Sequence, residues 1–341
     1  MQALVQVSLP FDLLVPDGAE YQIHGITSGE YQVAFDVPIR SARPVRGTTF
    51  DQVRLNGDPA FLADFLQIRF FKEEFDRRAS AEMDPPSWLI SFCIEYFLGR
   101  LRYVAKAPHI RSVDFPHCDW RLRYLSNDGT ELDVVESLVR GRGVGQIQLQ
   151  YVACHPAVWE DVFSLPSEFV PPAWRTLLLD ALGALPHIGS AVVLAATAHE
   201  VFIAEVLNQL AAMSDLPGDL WEWITDRGNF QKEPSVEEQF DTLLRVFTGH
   251  GLKESPDLWK AFKDLRSARN TFAHTGVAKI GKSVLSVNDA ARLLQHAEEI
   301  PRQVRSWIPT TLRWPEFEHP VELKLLKVLA ENQSLEEDAD K

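Results

Sequence analysis

The stretch LRSARNTFAHTG, Leu265–Gly276, sets Arg269, Asn270 and His274 within one and a half helical turns of each other. Histidine gives and takes a proton near neutral pH more readily than any other side chain. An arginine stabilises charge that develops on a phosphate, and an asparagine between them can orient either partner. RNA carries its own nucleophile, the 2′-hydroxyl. A group that removes that proton, or protonates the leaving oxygen, can therefore cut RNA without a metal. The same residues also have a structural reading. At about 100° per residue, Leu258, Phe262, Leu265, Ala268 and Phe272 share one apolar face, and Arg269 falls inside it. Arg266, Asn270 and His274 follow one another along the shoulder.

An arginine aimed into a helical core needs a partner, because an isolated buried charge is very costly. The acid at hand is Glu200, in HIGSAVVLAATAHEVFIAEVLNQLAAM, where Val193, Ile203 and Leu207 flank it in projection. The sequence predicts a buried Glu200–Arg269 pair and leaves open whether Arg269 serves the fold or a reaction. A lone histidine near a helix end is commonly a solvated or capping residue, so His274 carries weight only with its neighbours.

The elements that must position these residues split in two. A chain of 341 residues has the length of two domains, each able to bury its own core. The fold class read from the sequence is α+β: an N-terminal mixed αβ domain with antiparallel strands, residues 1–154, then an all-α bundle, residues 173–312. A proline-punctuated connection, 155–172, lies between them, and an extension with an acidic tail, 313–341, follows. In the first part ALVQVSLPF and EYQVAFDVPI alternate as half-buried strands do. DWRLRYLSNDGTELDVV reads as a hairpin around Asn127-Asp128-Gly129, and VGQIQLQYVA as a further strand. One helix there opens at Pro85-Pro86. In the second part the helix from His187 is apolar on most sides and belongs at the centre of a bundle. Ser235 and Glu238 form the sequence of a capping box. SPDLWKAFKDLRSARNTFAHTG and SVNDAARLLQHAEEIPRQVRSWI read as the last two helices.

With the motif placed on its helix, RNTFAH fits the Arg-x4-6-His pattern of HEPN domains (higher eukaryotes and prokaryotes nucleotide-binding), and LRSARNTFAHTG resembles the longer LRxxRNxxxH form found in many bacterial members. AHEVFIAEVLNQL resembles the family's early core helix. The resemblance covers roughly residues 173–310. It implies an all-α bundle that dimerises, bringing two Arg/His motifs into one cleft, and a metal-independent endoribonuclease of a bacterial defence or toxin-type system. His274 would be the acid/base, Arg269 the phosphate stabiliser and Asn270 the orienting residue, with Glu200 and Arg266 in support. The N-terminal domain would sense a signal or bind a protein partner. Other members are scaffolds or nucleotide-binding modules, so a non-catalytic interaction module with a structural Arg/Glu pair is the alternative.

Charge bounds the partners. The formal net charge is −14, so RNA binding needs a confined basic cleft rather than a generally basic surface. Lys260, Lys263, Arg266, Arg269, Lys279, Lys282, Arg292, Arg302 and Arg305 outnumber the acids around them, whereas the upstream helices are acidic. The three cysteines make no disulfide framework and suit a reducing compartment. His109, His117, Cys93, Cys118, Cys154 and His155 match no zinc spacing, and the chain has no Walker A, G-x-S-x-G or H-E-x-x-H motif. No cofactor or metal is expected. The run IGSAVVLAATA ends at His199 and Glu200, short of the roughly 20 residues of a membrane span, and the N-terminus lacks a basic leader. A cytoplasmic protein without a membrane partner is the expectation.

Overall fold

The computed structural model describes residues 1–40, 52–76, 83–137, 151–226, 234–320 and 323–326. The strand expected over 144–153 is described only at Tyr151–Ala153. The loop RGRGVGQ and the acidic tail lie outside the described residues. The chain forms two compact units. One comprises Met1–Ala105, Ile110–Phe169 and Phe317–Lys341, the other Lys106–His109 and Val170–Glu316.

The first unit is built on one sheet. Its strands are β1 (Gln2–Pro16), β2 (His24–Ser28), β3 (Tyr31–Phe35), β4 (Gln52–Leu55), β5 (Asp58–Phe71), β6 (Trp120–Leu125), β7 (Glu131–Ser137) and β8 (Tyr151–Ala153). β1 lies between β5 and β6, with Val5 opposite both Ile68 and Leu122. β7 continues beyond β6, β3 and β4 both pair with β5, and the strand Leu323–Leu326 pairs with β4. These pairs are antiparallel, as the alternation predicts. The exception is β8, which runs parallel to β1 with Asp12 opposite Tyr151. The turn at Asn56-Gly57, with φ of 52° and 92°, joins β4 to β5. An Asn-Gly pair is the strongest short hairpin signal, yet neither this hairpin nor β2 is among the strands expected from the sequence.

Helix α1 (Ser87–Val104) and helix α2 (Pro156–Ser164) form the helical part of this unit. Phe97 of α1 stacks on Phe35 at 6.1 Å and meets Trp159 of α2 at 5.5 Å. The connection expected over 155–172 is therefore partly core. Arg100, 2 % exposed, is in no ion pair among the described residues. Its guanidinium donates instead to the carbonyls of Leu165, Pro166 and Ser167 at 2.9, 2.5 and 3.0 Å, which fixes the chain leaving α2. His319 Nε2 meets Asp161 Oδ2 at 2.9 Å, so the C-terminal segment is tied to the same helix.

The second unit holds α3 (Ala173–Gly183), α4 (Ile188–Ala212), α5 (Gly218–Thr225), α6 (Val236–Glu238), a π-helical turn Gln239–Leu243, α7 (Leu244–Thr248), α8 (Pro256–Thr275) and α9 (Val287–Trp307). It is not all-α. Strands β9 (Lys279–Ile280) and β10 (Ser283–Val284) form a small hairpin between α8 and α9, in a stretch too short to give a period-two signal. The capping box forms: Glu238 N–H donates to Ser235 Oγ at 3.3 Å, and Ser235 N–H to Glu238 Oε2 at 2.7 Å.

Among the described residues, α4 alone is long and apolar enough to cross a membrane. In this unit it is the central helix. Ala191, Val192, Ala195, Ala198, Phe202 and Ile203 are fully buried against α3, α8 and α9. Its one fully buried polar side chain is His199, 1 % exposed. Pro301 lies inside α9 and has no N–H, so the Ala297 carbonyl one turn back lacks its helical donor. His199 Nε2 fills that role at 2.8 Å, which places the proton on Nε2 and leaves Nδ1 buried without a partner. Burial pushes the His199 pKa down to about 4, opposed by the hydrogen bond to Ala297.

A neutral buried histidine destabilises the fold once the unfolded chain can take up a proton. Stability from His199 is fully present above about pH 6.5 and is lost as the pH falls toward 4. The expected loss over that window is roughly 3 kcal/mol more for the wild type than for His199→Gln. Glutamine can donate to the same carbonyl and does not titrate. Urea melts of both proteins at several pH values check this; parallel stability curves would contradict it.

Candidate functional site

Helix α8 presents the motif. Pro256 occupies its first turn, and Gly276, with φ 72°, ends it in the left-handed conformation, its N–H donating to the Phe272 carbonyl at 2.8 Å. Ala261, Phe262, Leu265 and Ala268 are buried, so the apolar face is the one the sequence predicts. Phe272 lies against Gly189, where an added Cβ would sit 2.0 Å from the ring. His199 meets the Phe262 ring at 6.1 Å. The separation between Gly189 and His199 equals that between Phe262 and Phe272. The two helices therefore run antiparallel and in step.

That register decides the fate of Arg269. It sets Arg269 level with Val192 and Glu200 level with Ala261, about 12 Å apart along the axis at about 1.5 Å per residue. The predicted Glu200–Arg269 ion pair does not form. Both residues are half-buried, and neither is in an ion pair among the described residues. Residues 188–199 of α4 carry no acid or lysine or arginine, so nothing on that part of α4 could neutralise Arg269. The helical wheel places both side chains on apolar faces, whereas the structure leaves both only half-buried. It could not give the axial offset, which depends on the small Gly189 accepting the Phe272 ring.

Arg269 instead donates from Nη1 to Asn270 Oδ1 at 3.1 Å. Asn270 and His274 are exposed. Arg266, the supporting residue of the motif, is held by Glu237 of α6 at 2.9 Å. Lys260 pairs with Asp264. Beyond Asp264 the character changes. Residues 265–288 contain no aspartate or glutamate but include Arg266, Arg269, His274, Lys279 and Lys282. Of these, Arg269, His274, Lys279 and Lys282 are in no ion pair among the described residues. In a chain of net charge −14, unneutralised cations at one helix end make a local anion-attracting surface.

Thr271 links this end of α8 to the hairpin, a link that sequence reasoning does not anticipate. Its Oγ1 accepts from the Lys279 N–H at 2.9 Å and lies 3.0 Å from the Ala268 carbonyl and 3.1 Å from the Lys279 carbonyl. Thr275 Oγ1 donates to the Thr271 carbonyl at 2.6 Å and accepts from the Val277 N–H at 3.3 Å. The available signal is the pair of threonines spaced one turn apart before a glycine.

The cysteines offer no comparable chemistry. Cys93 and Cys154 are buried, and burial pushes both thiols up to about 12. Among the described residues no group of three or more histidine, cysteine or acidic side chains is arranged to hold a metal. Comparison with protein-family models, curated proteins and solved structures finds no match to the chain.

An arginine whose only side-chain partner among the described residues is its exposed neighbour contributes little to stability. Arg269→Ala is expected to cost less than about 1 kcal/mol in urea denaturation. A destabilisation of roughly 3–5 kcal/mol, the scale of a broken buried pair, would contradict this placement.

Proposed function

We propose that the chain is a metal-independent endoribonuclease acting through Arg269, Asn270 and His274. The observation that supports this reading most is that Asn270 and His274 are exposed, Arg269 is half-buried, and neither Arg269 nor His274 is in an ion pair among the described residues, in an acid-free stretch of an acidic protein. In the reaction, the 2′-hydroxyl attacks the adjacent phosphorus and the bond to the 5′-oxygen breaks, giving a 2′,3′-cyclic phosphate and a 5′-hydroxyl. His274 moves a proton, off the nucleophile or onto the leaving oxygen. Arg269, steadied by Asn270, faces the charge that grows on the non-bridging oxygens. One histidine handles one of the two proton transfers. A symmetric dimer, which the HEPN resemblance implies, would supply the partner's His274 for the other, and an isologous pair is the commonest oligomer geometry. A place in a bacterial defence or toxin-type system, with the first unit as sensor or partner-binding domain, follows from the same resemblance. The rival reading is a non-catalytic interaction or nucleotide-binding module. It keeps the anion site without the proton transfers.

Cleavage of a labelled RNA in the presence of EDTA, by wild type and His274→Ala, tests the reading. The expected outcome is EDTA-resistant cleavage that falls by about 10²-fold or more in the variant. Binding without cleavage in both proteins would support the rival. Sedimentation at tens of micromolar is expected to show a dimer, and a monomer would remove the composite site.

A further inference from the structure

The hairpin Lys279–Val284 has no part in the reaction described above, yet besides packing Ile280 on the core it is fastened by hydrogen bonds to the motif-bearing end of α8. Both backbone groups of Lys279 meet Thr271 Oγ1, at 2.9 and 3.1 Å. Around α8, at about 100° per residue, Asn270 and His274 form an outward stripe. Arg269 falls on one side of that stripe, and Thr271 falls on the other. The hairpin therefore rises on the side away from Arg269, and His274 lies between two cationic flanks. Lys282, beside Gly281 at the turn (φ 59°), is exposed, and Lys279 is half-buried. Neither is in an ion pair among the described residues.

We propose that this hairpin is the second wall of the His274 site, with Lys279 and Lys282 holding the phosphates of the polynucleotide strand that flank the scissile one. The proposal rests on the ribonuclease reading for the identity of the strand. The physical reason is reach and charge. A phosphodiester chain crossing an exposed helix face meets a single arginine only at one phosphate. Neighbouring phosphates need their own cations, or the strand remains free to slide out of register with His274. Thr271 is then a positioning residue, since it sets where the lysines stand without touching the strand.

The test uses the full-length chain and a fluorescein-labelled single-stranded oligoribonucleotide. Binding is followed against potassium chloride concentration and cleavage is assayed in parallel. The proteins are wild type, Lys279→Gln/Lys282→Gln, and Thr271→Val, which breaks the tether and leaves every charge in place. For the lysine variant the slope of log K against log salt is expected to become shallower by about 0.7 for each phosphate that is no longer neutralised. Affinity at low salt should fall several-fold, with an unchanged thermal melt. Thr271→Val should weaken binding while Thr271→Ser restores it. Cleavage with an unchanged slope and affinity in the lysine variant would overturn the hairpin's role and leave the ribonuclease reading standing. Lysine-dependent binding without cleavage by the wild type would keep the hairpin as a strand-binding wall and overturn catalysis. No binding by the wild type would overturn both.

Discussion

Pro301 interrupts the hydrogen-bond ladder of α9, and the carbonyl it frees at Ala297 is taken by His199 from the middle of α4. A buried carbonyl without a donor is costly, so this hydrogen bond pins the axial position of α4 against α9. The same histidine ring lies beside Phe262 of α8. Ten residues away Gly189 admits the Phe272 ring. With both requirements satisfied, α4 and α8 have one workable register. In that register the charge-free start of α4 lies along the part of α8 that carries Arg269.

The consequence for the site is electrostatic. Had the register been offset by two turns, Glu200 could have met Arg269, and the arginine would have been a structural ion pair. As built, Arg269 has an exposed asparagine as its side-chain partner, and the cations that follow it on the hairpin are in no ion pair among the described residues. The ion pairs of α8 sit in its earlier turns, Lys260 with Asp264 and Arg266 with Glu237. Unpaired positive charge is thus gathered toward the acid-free end of α8. That reconciles a net charge of −14 with a surface suited to an anion, because screening limits the reach of the remaining acids to about a Debye length.

Much of this is legible in the sequence, and the gaps have physical causes. The bounds of α4 and α8, the capping box at Ser235 and the hairpin at Asn127-Asp128-Gly129 follow from periodicity and local turn chemistry, both short-range. The Glu200–Arg269 pair fails because a wheel projects a helix down its axis and discards the offset between two helices. The roles of His199 and Thr271 are long-range or between elements: one depends on a proline in another helix, the other on a hairpin too short for any period. The Asn56-Gly57 hairpin is different. Its signal is local and strong, so nothing physical hides it from a reading of the sequence.

The central claim is that the acid-free end of α8 uses the 2′-hydroxyl of RNA as the nucleophile. It is tested most directly with an oligonucleotide whose only ribose is at one internal position, alongside its all-deoxy counterpart. The account predicts that the wild-type chain binds both and cuts only the first, at that ribose, leaving a 2′,3′-cyclic phosphate and a 5′-hydroxyl by mass spectrometry. Cleavage of the all-deoxy strand, or a product bearing a 5′-phosphate, would contradict it.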